Sequence, residues 1–371
     1  MTKTRQFDVL VVGAGQAGCA AAQDLAMAGL EVGLLERAPA RVTKPCAGGI
    51  TIKAAQRYRF SLDPVIRQTS HCLEISLGGK RARCLESPAP VALLTHRPEL
   101  DLFCRQQAQA AGAELIGIRS PGAVHQGREA VTVVAGEQRF SAPWLIAADG
   151  ANSRIRRLVH GGGQHAGAFA IEGLVAAERI DAMPRMRMDF GCVSDGYGWL
   201  FPKADHVNVG LYIAHHRHHV ATRQALARYA RQALGVDDIQ CVQGYPLGTW
   251  GNARAMVTGR VLYAGDAAGF TEPLLGEGIY GAVISGQAAA RAVIAGSADS
   301  YCEAMMAWRH ELSRVHGLTR LFYGVLPVSY GALKHVIGAP LVRGVSRGLT
   351  LGQTVRYWRR RMAGWPGDGQ F

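Results

Sequence analysis

The stretch Phe7-Asp-Val-Leu-Val-Val12-Gly13-Ala-Gly15-Gln-Ala-Gly18 decides the fold of this chain. A short apolar strand leads directly into three glycines, and a helix of small residues over 19–28 follows them. A second predicted strand, 31–35, ends at Glu36, about 20 residues beyond the glycines, as in dinucleotide-binding units. Together these features predict a Rossmann-like βαβ unit.

Each glycine has a physical role in such a unit. Gly13 permits the tight turn, Gly15 lets the backbone approach a pyrophosphate, and Gly18 lets the helix pack on the strand. Glu36 is expected to bind ribose hydroxyls, and its negative charge argues against a bound 2′-phosphate. The predicted cofactor-binding set also includes Gln16, Ala17 and Arg37.

A second segment of the same character lies near residue 265. The apolar run 261–264 leads into Gly265-Asp266, and Pro273-Leu-Leu-Gly276-Glu277-Gly278-Ile279 then opens a helix. This order suits a diphosphate-linked sugar alcohol, because a carboxylate binds hydroxyls while helix-start amides hold phosphate or flavin oxygens. With the glycine motif, the segment predicts a flavoprotein that binds FAD.

Two further segments fit a flavin site. A predicted strand over 145–148 ends in Asp149-Gly150 and precedes a basic helix start. Another helix opens near Thr95 with a proline at an early position, where proline is well tolerated. Arg97 in that helix either reaches the flavin or its diphosphate, or forms a surface ion pair with a nearby acid.

Composition excludes several classes of protein. The eight cysteines form no CxxC pair or other metal-ligand spacing, which predicts a reduced, cytoplasmic protein without a disulfide framework or a metal site. No run reaches the about 18 apolar residues of a membrane span. The histidines of 215–219 are interrupted by Arg217, which would repel a cation, so a solvated loop is favoured over a metal site.

The net charge of +13 is concentrated near the carboxyl terminus, where residues 301–371 contain ten Lys or Arg against three acids. The segment also contains apolar stretches that are too short to span a bilayer. It is therefore interpreted either as a peripheral contact with the inner face of a membrane or as a helical cap with a solvated basic face. No nucleic-acid-binding motif accompanies the charge.

These segments resemble known enzymes. The glycine motif, Asp149-Gly150 and Gly265-Asp266 occur in the order seen in p-hydroxybenzoate-hydroxylase-like FAD enzymes. Within that group, Lys44-Pro45-Cys46-Ala47-Gly48-Gly49 is similar to the Pro-Cys-Gly-Gly turn of the geranylgeranyl reductase family, with Ala47 in place of a glycine. Tyr197-Gly-Trp199-Leu-Phe201-Pro202-Lys203 is similar to that family's Tyr-x-Trp-x-Phe-Pro element. The resemblance extends from residue 7 to about residue 287.

The resemblance implies an α/β fold class, with a Rossmann-like FAD-binding domain interleaved with a mainly β-sheet substrate domain, and a helical tail. The FAD-binding part is expected to take residues 1–75, 95–160 and 250–300. The substrate part would take 76–94 and 161–249, with a hinge in the glycine-rich 161–167, and the tail 301–371.

The resemblance also implies an activity. Family members reduce C=C bonds of prenyl or other apolar substrates with hydride from flavin N5. Cys46 would lie beside flavin and substrate, where it donates the proton, tunes the flavin or merely packs. Gly48 and Gly49 would let the backbone pass close to the ring. Tyr197 and Trp199 would form an aromatic wall over it or a structural pair, and Phe201-Pro202 would close the strand.

Two alternatives share the fold. One is an FAD-dependent monooxygenase of an aromatic or natural-product substrate, with a halogenase as a weaker variant because halogenases usually have Trp where Tyr197 stands. The other is a membrane-surface flavoprotein that passes electrons to a partner. The sequence has no second nucleotide-binding unit, so the electron donor is expected to be transiently bound NAD(P)H, a protein or a quinol.

Overall fold

The computed structural model describes residues 3–37, 44–161, 167–214, 220–249 and 255–362. The histidine cluster, most of the predicted hinge and the last nine residues lie outside these ranges. Within them the chain forms twenty strands and ten helices, numbered here in chain order. The strands are β1 (Thr4–Gln6), β2 (Val9–Val12), β3 (Val32–Glu36), β4 (Gly49–Thr51), β5 (Ile66–Ser70), β6 (Cys72–Leu77), β7 (Lys80–Glu86), β8 (Ala92–Thr95), β9 (Glu114–Gly117), β10 (Ala123–Gln126), β11 (Val131–Ala135), β12 (Gln138–Ala142), β13 (Trp144–Ala147), β14 (Ala168–Ala176), β15 (Arg187–Phe190), β16 (Gly196–Pro202), β17 (His206–Ile213), β18 (Gln240–Leu247), β19 (Val257–Thr258) and β20 (Val261–Tyr263). The helices are α1 (Gln16–Met27), α2 (Ile52–Ala55), α3 (Arg97–Ala110), α4 (Arg154–His160), α5 (Arg223–Leu234), α6 (Ile279–Ile294), α7 (Ala298–Gly324), α8 (Leu326–Ala332), α9 (Gly338–Ser346) and α10 (Leu351–Met362).

A six-stranded sheet carries the glycine motif. Its strand order is β19-β20-β13-β2-β3-β9, and all neighbours are parallel except β19 and β20. Every residue of β2 is buried, as expected of a continuous apolar run in a parallel sheet. Helix α1 packs closely on α6, where a side chain at Gly286 would overlap the Ala17 carbonyl. Because β2, β13 and β20 are parallel neighbours, their carboxyl ends meet at one edge of the sheet, where ligands bind in such sheets.

A seven-stranded sheet faces that edge. Its order is β18-β14-β17-β16-β15-β6-β7, and its neighbours are antiparallel except β15 and β6. Helix α5 packs on the outer face through buried Leu226 and Tyr229, and the Tyr229 hydroxyl donates to Asp189 Oδ2 at 2.7 Å. The sheet takes chain segments 72–86 and 168–247, separated by strands of the other sheets. This arrangement supports the proposed interleaved domains, whose bounds stay a prediction.

The C-terminal helices continue the fold. Helix α7 packs on the core through Met305, Trp308 and Leu312, all buried. No single described helix is long and apolar enough to cross a membrane, although the bent pair α7 with 326–346 passes that test of length and composition.

One expectation about the cysteines was wrong. Cys72 and Cys84 form a disulfide between β6 and β7, where the sequence predicted thiols. The two strands are antiparallel, and pairing of Cys72 with Glu86 places the cysteines diagonally, with their Cα atoms 6.2 Å apart. Their spacing along the chain gives no sign of this contact. The other six cysteines are free thiols.

Candidate active site

A cavity of about 670 Å³ lies between the two large sheets. This volume is within the range of small-molecule and cofactor sites. Five predicted segments meet in its wall, namely the glycine motif, the turn 44–49, the Asp149-Gly150 segment, the loop 264–279 and the aromatic strand β16.

The glycine motif divides into two kinds of glycine. Gly13 has φ +101°, and a Cβ there would lie 2.5 Å from the Ala148 carbonyl oxygen. A Cβ on Gly18 would overlap the Gly13 carbonyl, behind the cavity wall. Gly15 differs, because its backbone is extended and no atom lies within 4 Å of where its Cβ would stand. Two glycines thus serve protein packing, while Gly15 leaves room in the wall at the start of α1, which fits a pyrophosphate.

Glu36 lies in the cavity wall at the end of β3. Its Oε2 accepts a 2.7 Å hydrogen bond from the Ala14 amide and lies 3.7 Å from Arg105 Nη2. Arg105 is buried, donates from Nε to the Ala14 carbonyl at 3.1 Å, and was not predicted. Arg37 is exposed at the cavity rim. These contacts hold the glycine turn against α3 beside the position expected for the ribose.

The Asp149-Gly150 segment caps helix α4. Asp149 Oδ2 accepts the Ile155 amide at 3.0 Å, and the Ser153 hydroxyl accepts the Arg156 amide. Burial raises the pKa of Asp149. Its buried Oδ1 has no hydrogen-bond partner among the described residues, and Asp149 lines the cavity. Gly150 has φ +81°, a backbone conformation that favours glycine.

Asp266 lies in the cavity wall with both carboxylate oxygens already engaged. Oδ2 forms a 2.9 Å ion pair with Lys44, and Oδ1 accepts a 2.7 Å hydrogen bond from the Thr271 hydroxyl. Burial opposes ionisation of Asp266, but Lys44 outweighs it, so the net effect is a lowered pKa. Gly265, with φ +59°, faces the Ala17 side chain. Lys44 begins the predicted turn, but its pairing with Asp266 was not predicted.

The loop after Asp266 is held from behind by three tyrosines. Tyr212, Tyr323 and Tyr197 donate to the consecutive carbonyls of residues 273, 274 and 275, at 2.7, 3.0 and 2.6 Å. We call these residues the tyrosine clamp. Pro273, predicted to bind cofactor, does not line the cavity, because its carbonyl points back to Tyr212.

The rest of the loop forms the cavity wall. Gly276 has φ +73°, and its Cβ would lie 2.6 Å from the Tyr212 ring. Glu277 forms a 2.6 Å ion pair with Lys53. Gly278 and Ile279 begin α6 without a side-chain cap and line the cavity, as a helix start facing an anion or a flavin oxygen would.

The turn that contains Cys46 is fixed at each residue. The Cys46 amide donates to Glu172 Oε1 at 2.7 Å, and Lys203 Nζ donates to the Ala47 carbonyl at 2.9 Å. The Gly48 amide lies 3.4 Å from the Cys46 sulfur. A Cβ on Gly48 would overlap the Thr95 carbonyl, and one on Gly49 would lie 2.6 Å from the Phe201 ring. Cys46, Ala47 and Gly49 line the cavity, whereas Gly48 lies behind it.

Arg97 lies in the cavity wall and is buried, not exposed as the ion-pair alternative assumed. Its Nε donates to Asp101 Oδ1 at 2.7 Å, one helical turn further along α3. Burial opposes the charge, but the nearby Asp101 and Cys46 outweigh it and raise the pKa of Arg97. The predicted ion pair is therefore present, in the interior.

Strand β16 contributes an aromatic wall. Tyr197, Trp199 and Phe201 alternate onto one face and all line the cavity. Phe201 closes the strand with Pro202, as expected, and it also shares the cavity face of the other two. Pro202 is the last residue of the strand. Trp199 Nε1 donates to Asn208 Oδ1 at 2.7 Å.

Two charged residues lie beside the turn: Glu172, which the sequence did not indicate, and Lys203, which ends the aromatic element but was assigned no role. Burial raises the pKa of Glu172 to about 7. The Cys46 amide and Lys203 act in the opposite direction, because both favour the ionised form. Burial lowers the pKa of Lys203 to about 8, partly offset by Glu172. The one available signal for Glu172 is a lone acid in the apolar strand β14.

Comparisons with known proteins identify the family of this chain. Residues 6–179 match the FAD-binding domain family. A chloroplastic geranylgeranyl diphosphate reductase of Oryza sativa subsp. japonica is 33% identical over 322 residues, which cover 80% of this chain and 68% of the relative. The chain belongs to the geranylgeranyl reductase family. A digeranylgeranylglycerophospholipid reductase of Methanothermobacter thermautotrophicus is 30% identical, covering 83% of the chain and 85% of the relative.

Solved structures share the fold of this family member. A geranylgeranyl bacteriochlorophyll reductase-like protein of Thermoplasma acidophilum superposes with a TM-score of 0.75 at 20% identity, covering 95% of this chain and 96% of the other. A flavin-dependent brominase gives 0.69 at 15% identity, covering 97% and 100%. The predicted family, fold class and FAD cofactor are confirmed, and the protein is an FAD-dependent oxidoreductase.

Proposed function

We propose that the protein reduces C=C bonds of a prenyl chain or a comparably apolar substrate. One observation carries the proposal: the FAD-motif residues and an extended apolar wall share a single cavity. The apolar wall comprises Leu73, Val91, Ala92, Met186, Met188, Leu247, Leu274, Leu341, Val342, Val345, Leu349 and Leu351. Two relatives are named for geranylgeranyl compounds, and such a wall would accommodate a geranylgeranyl chain.

The position of each group of residues in the cavity wall indicates its role. The α1 start at Gly15 would hold the pyrophosphate, Glu36 the ribose, and the 276–279 backbone the flavin oxygens. FAD, when bound and reduced, supplies two electrons and one hydrogen to the alkene. Tyr197, Trp199 and Phe201 would orient the substrate and exclude water, which matters because an unpolarised alkene depends on positioning.

The test is a half-reaction. The purified protein with FAD is reduced without oxygen and mixed with a geranylgeranyl lipid or a polyprenyl quinone. We expect rapid flavin reoxidation and a product heavier by two hydrogens. Inertness to alkenes, with oxygen incorporated into an aromatic substrate in air, would instead indicate the monooxygenase alternative. Reoxidation only by a protein acceptor would indicate the electron-transfer alternative. The same preparation mixed with NADH, NADPH or a quinol identifies the donor.

We also propose that the C-terminal helices rest on an anionic membrane, at its cytoplasmic face. These helices and the turns between them expose eight large apolar side chains: Met306, Leu318, Leu321, Val325, Val328, Val336, Ile337 and Val355. Residues 301–371 also carry ten basic against three acidic residues, which complements anionic lipid. The same helices supply Leu341, Val342 and Leu351 to the cavity wall, so a lipid chain would enter from this side.

The double variant Leu321→Glu/Val328→Glu should bind anionic vesicles at least about tenfold more weakly, because each buried apolar side chain is worth about 1.5–3 kcal/mol. Co-sedimentation with vesicles measures this. Met27→Glu, on α1 and 66% exposed, is the matched control and should change nothing. Equal binding by both variants would leave the solvated basic face as the better interpretation of the tail.

A further inference from the structure

Glu172 occupies a defined place in the cavity wall. It is 8% exposed and faces the cavity from β14, on the same face as Ala170. Across the sheet it pairs with Gly210, which in turn pairs with Trp199. A Cβ on Gly210 would overlap the Trp199 indole, so the missing side chain lets the indole lie over β17 toward Glu172.

This carboxyl lies beside both predicted reactive elements. Oε1 accepts the Cys46 amide at 2.7 Å. The Asn208 side chain favours the ionised form of Glu172 and accepts a hydrogen bond from Trp199 Nε1 at 2.7 Å. Glu172 therefore stands between the Cys46 turn and the aromatic wall.

We propose that Glu172 is the general acid of the alkene reduction, an inference that rests on the function proposed above. One alkene carbon receives a hydrogen with two electrons from reduced FAD, and the other receives the Glu172 proton. The carboxyl becomes a carboxylate and FAD is left oxidised. A proton from solvent restores the carboxyl, and a donor of the NAD(P)H or quinol class restores reduced FAD.

The surroundings keep the proton available at neutral pH. Burial raises the pKa of Glu172 to about 7. The cations that face it, Lys203 beyond β16 and Arg97 on α3, act in the opposite direction, as do hydrogen bonds from the Cys46 turn and from Asn208 on β17. The acid form therefore predominates below about pH 7 and is lost as the pH rises through that value.

Two other groups compete for this role. Burial also raises the pKa of Glu272 to about 7, but its two oxygens accept the Leu274 and Leu275 amides, so it organises the loop. Cys46 remains the alternative acid that the sequence suggested. The experiment therefore compares Glu172→Gln with Cys46→Ala and Glu272→Gln.

The first readout uses protein without FAD. Infrared spectra recorded against pH should show protonated-carboxyl bands that titrate near neutrality. Glu172→Gln should remove one of them, Glu272→Gln another, and Cys46→Ala none. A spectrum unchanged by Glu172→Gln would overturn the proposal, because the carboxyl would not hold a proton where one is needed.

The second readout is reoxidation of reduced flavin by the prenyl alkene. Glu172→Gln should keep FAD affinity and slow this step by about 10²–10⁴-fold, the usual contribution of a general acid. The wild-type rate should fall above about pH 7, and the variant should lose that pH dependence. Should Glu172→Gln fail to fold, Glu172→Asp is the second variant, because it keeps a carboxyl group but draws it back from the cavity by one methylene. We expect this variant to reoxidise the flavin more slowly and to retain a pH-dependent rate.

The outcomes separate the two proposals. If the wild-type protein reacts with no prenyl alkene, the proposed function is wrong and so is the acid role. The infrared titration would then still report whether Glu172 is protonated near neutral pH. A wild-type protein that reduces alkenes, together with a native rate and pH profile in Glu172→Gln, overturns the acid role alone. Slowing confined to Cys46→Ala would assign the proton to the thiol.

Discussion

Gly15→Val should leave the fold intact and abolish useful FAD binding. No atom lies within 4 Å of the Gly15 Cβ position, and the backbone there is extended, so a side chain meets no protein. It would instead fill the space at the α1 start that fits a pyrophosphate. We expect FAD affinity to fall by at least about 100-fold, or about 2.7 kcal/mol, while the stability of the FAD-free protein changes by less than about 1 kcal/mol.

Fluorescence titration with FAD and thermal unfolding of the FAD-free protein measure the two effects separately. Gly13→Val is the contrasting control, because its backbone has φ +101° and the Ala148 carbonyl lies 2.5 Å from the Cβ position. That variant should lose at least about 1–2 kcal/mol from backbone strain alone. Native FAD affinity in Gly15→Val would show that the pyrophosphate lies elsewhere.

Asp101→Ala should be the most destabilising single change near the site. Asp101 and Arg97 are a buried pair at 2.7 Å, and Gln16 Nε2 also donates to Asp101 at 2.5 Å. Removing the acid leaves the guanidinium buried without its main counter-charge, which costs about 3–5 kcal/mol. Urea unfolding of the FAD-free protein measures the loss.

The double variant Arg97→Met/Asp101→Leu completes the test. Replacing both partners by apolar side chains is often neutral, so most of the stability should return. Its FAD affinity then reports whether Arg97 also contacts the cofactor, the other role predicted from the sequence. Equal destabilisation in the single and double variants would mean that the pair does not act through its charge.

The glycine motif could be predicted from the sequence because its determinants are local. Strand, turn and helix between residues 7 and 36 follow from neighbouring residues, and the structure has them within a few positions. The contacts of Lys44 and Lys203 could not be predicted this way. Lys44 pairs with Asp266, which lies far along the chain. Lys203 donates to the Ala47 carbonyl, in a turn that also lies far away in sequence. Such pairs exist only once the sheets have assembled.

Two placements differ from what the motifs suggested. Pro273 belongs to a segment predicted to bind cofactor, but the direction of its carbonyl is set by Tyr212 on another sheet. Phe201 was separated from Tyr197 and Trp199, although the two-residue period of a strand already places the three together. Arg105 and Arg97 lie eight residues apart on α3, a spacing that could have signalled one shared buried face.

The tyrosine clamp has a consequence for hybrid proteins. One of its members, Tyr323, belongs to α7 and bonds to the Leu274 carbonyl. The helices predicted to form a separate tail therefore reach the loop 264–279. A chimera that took these helices from a relative would exchange part of the loop's support together with the surface proposed to contact a membrane. Substrate range and flavin environment would then change together, unless the grafted helix retains a hydroxyl that meets the Leu274 carbonyl.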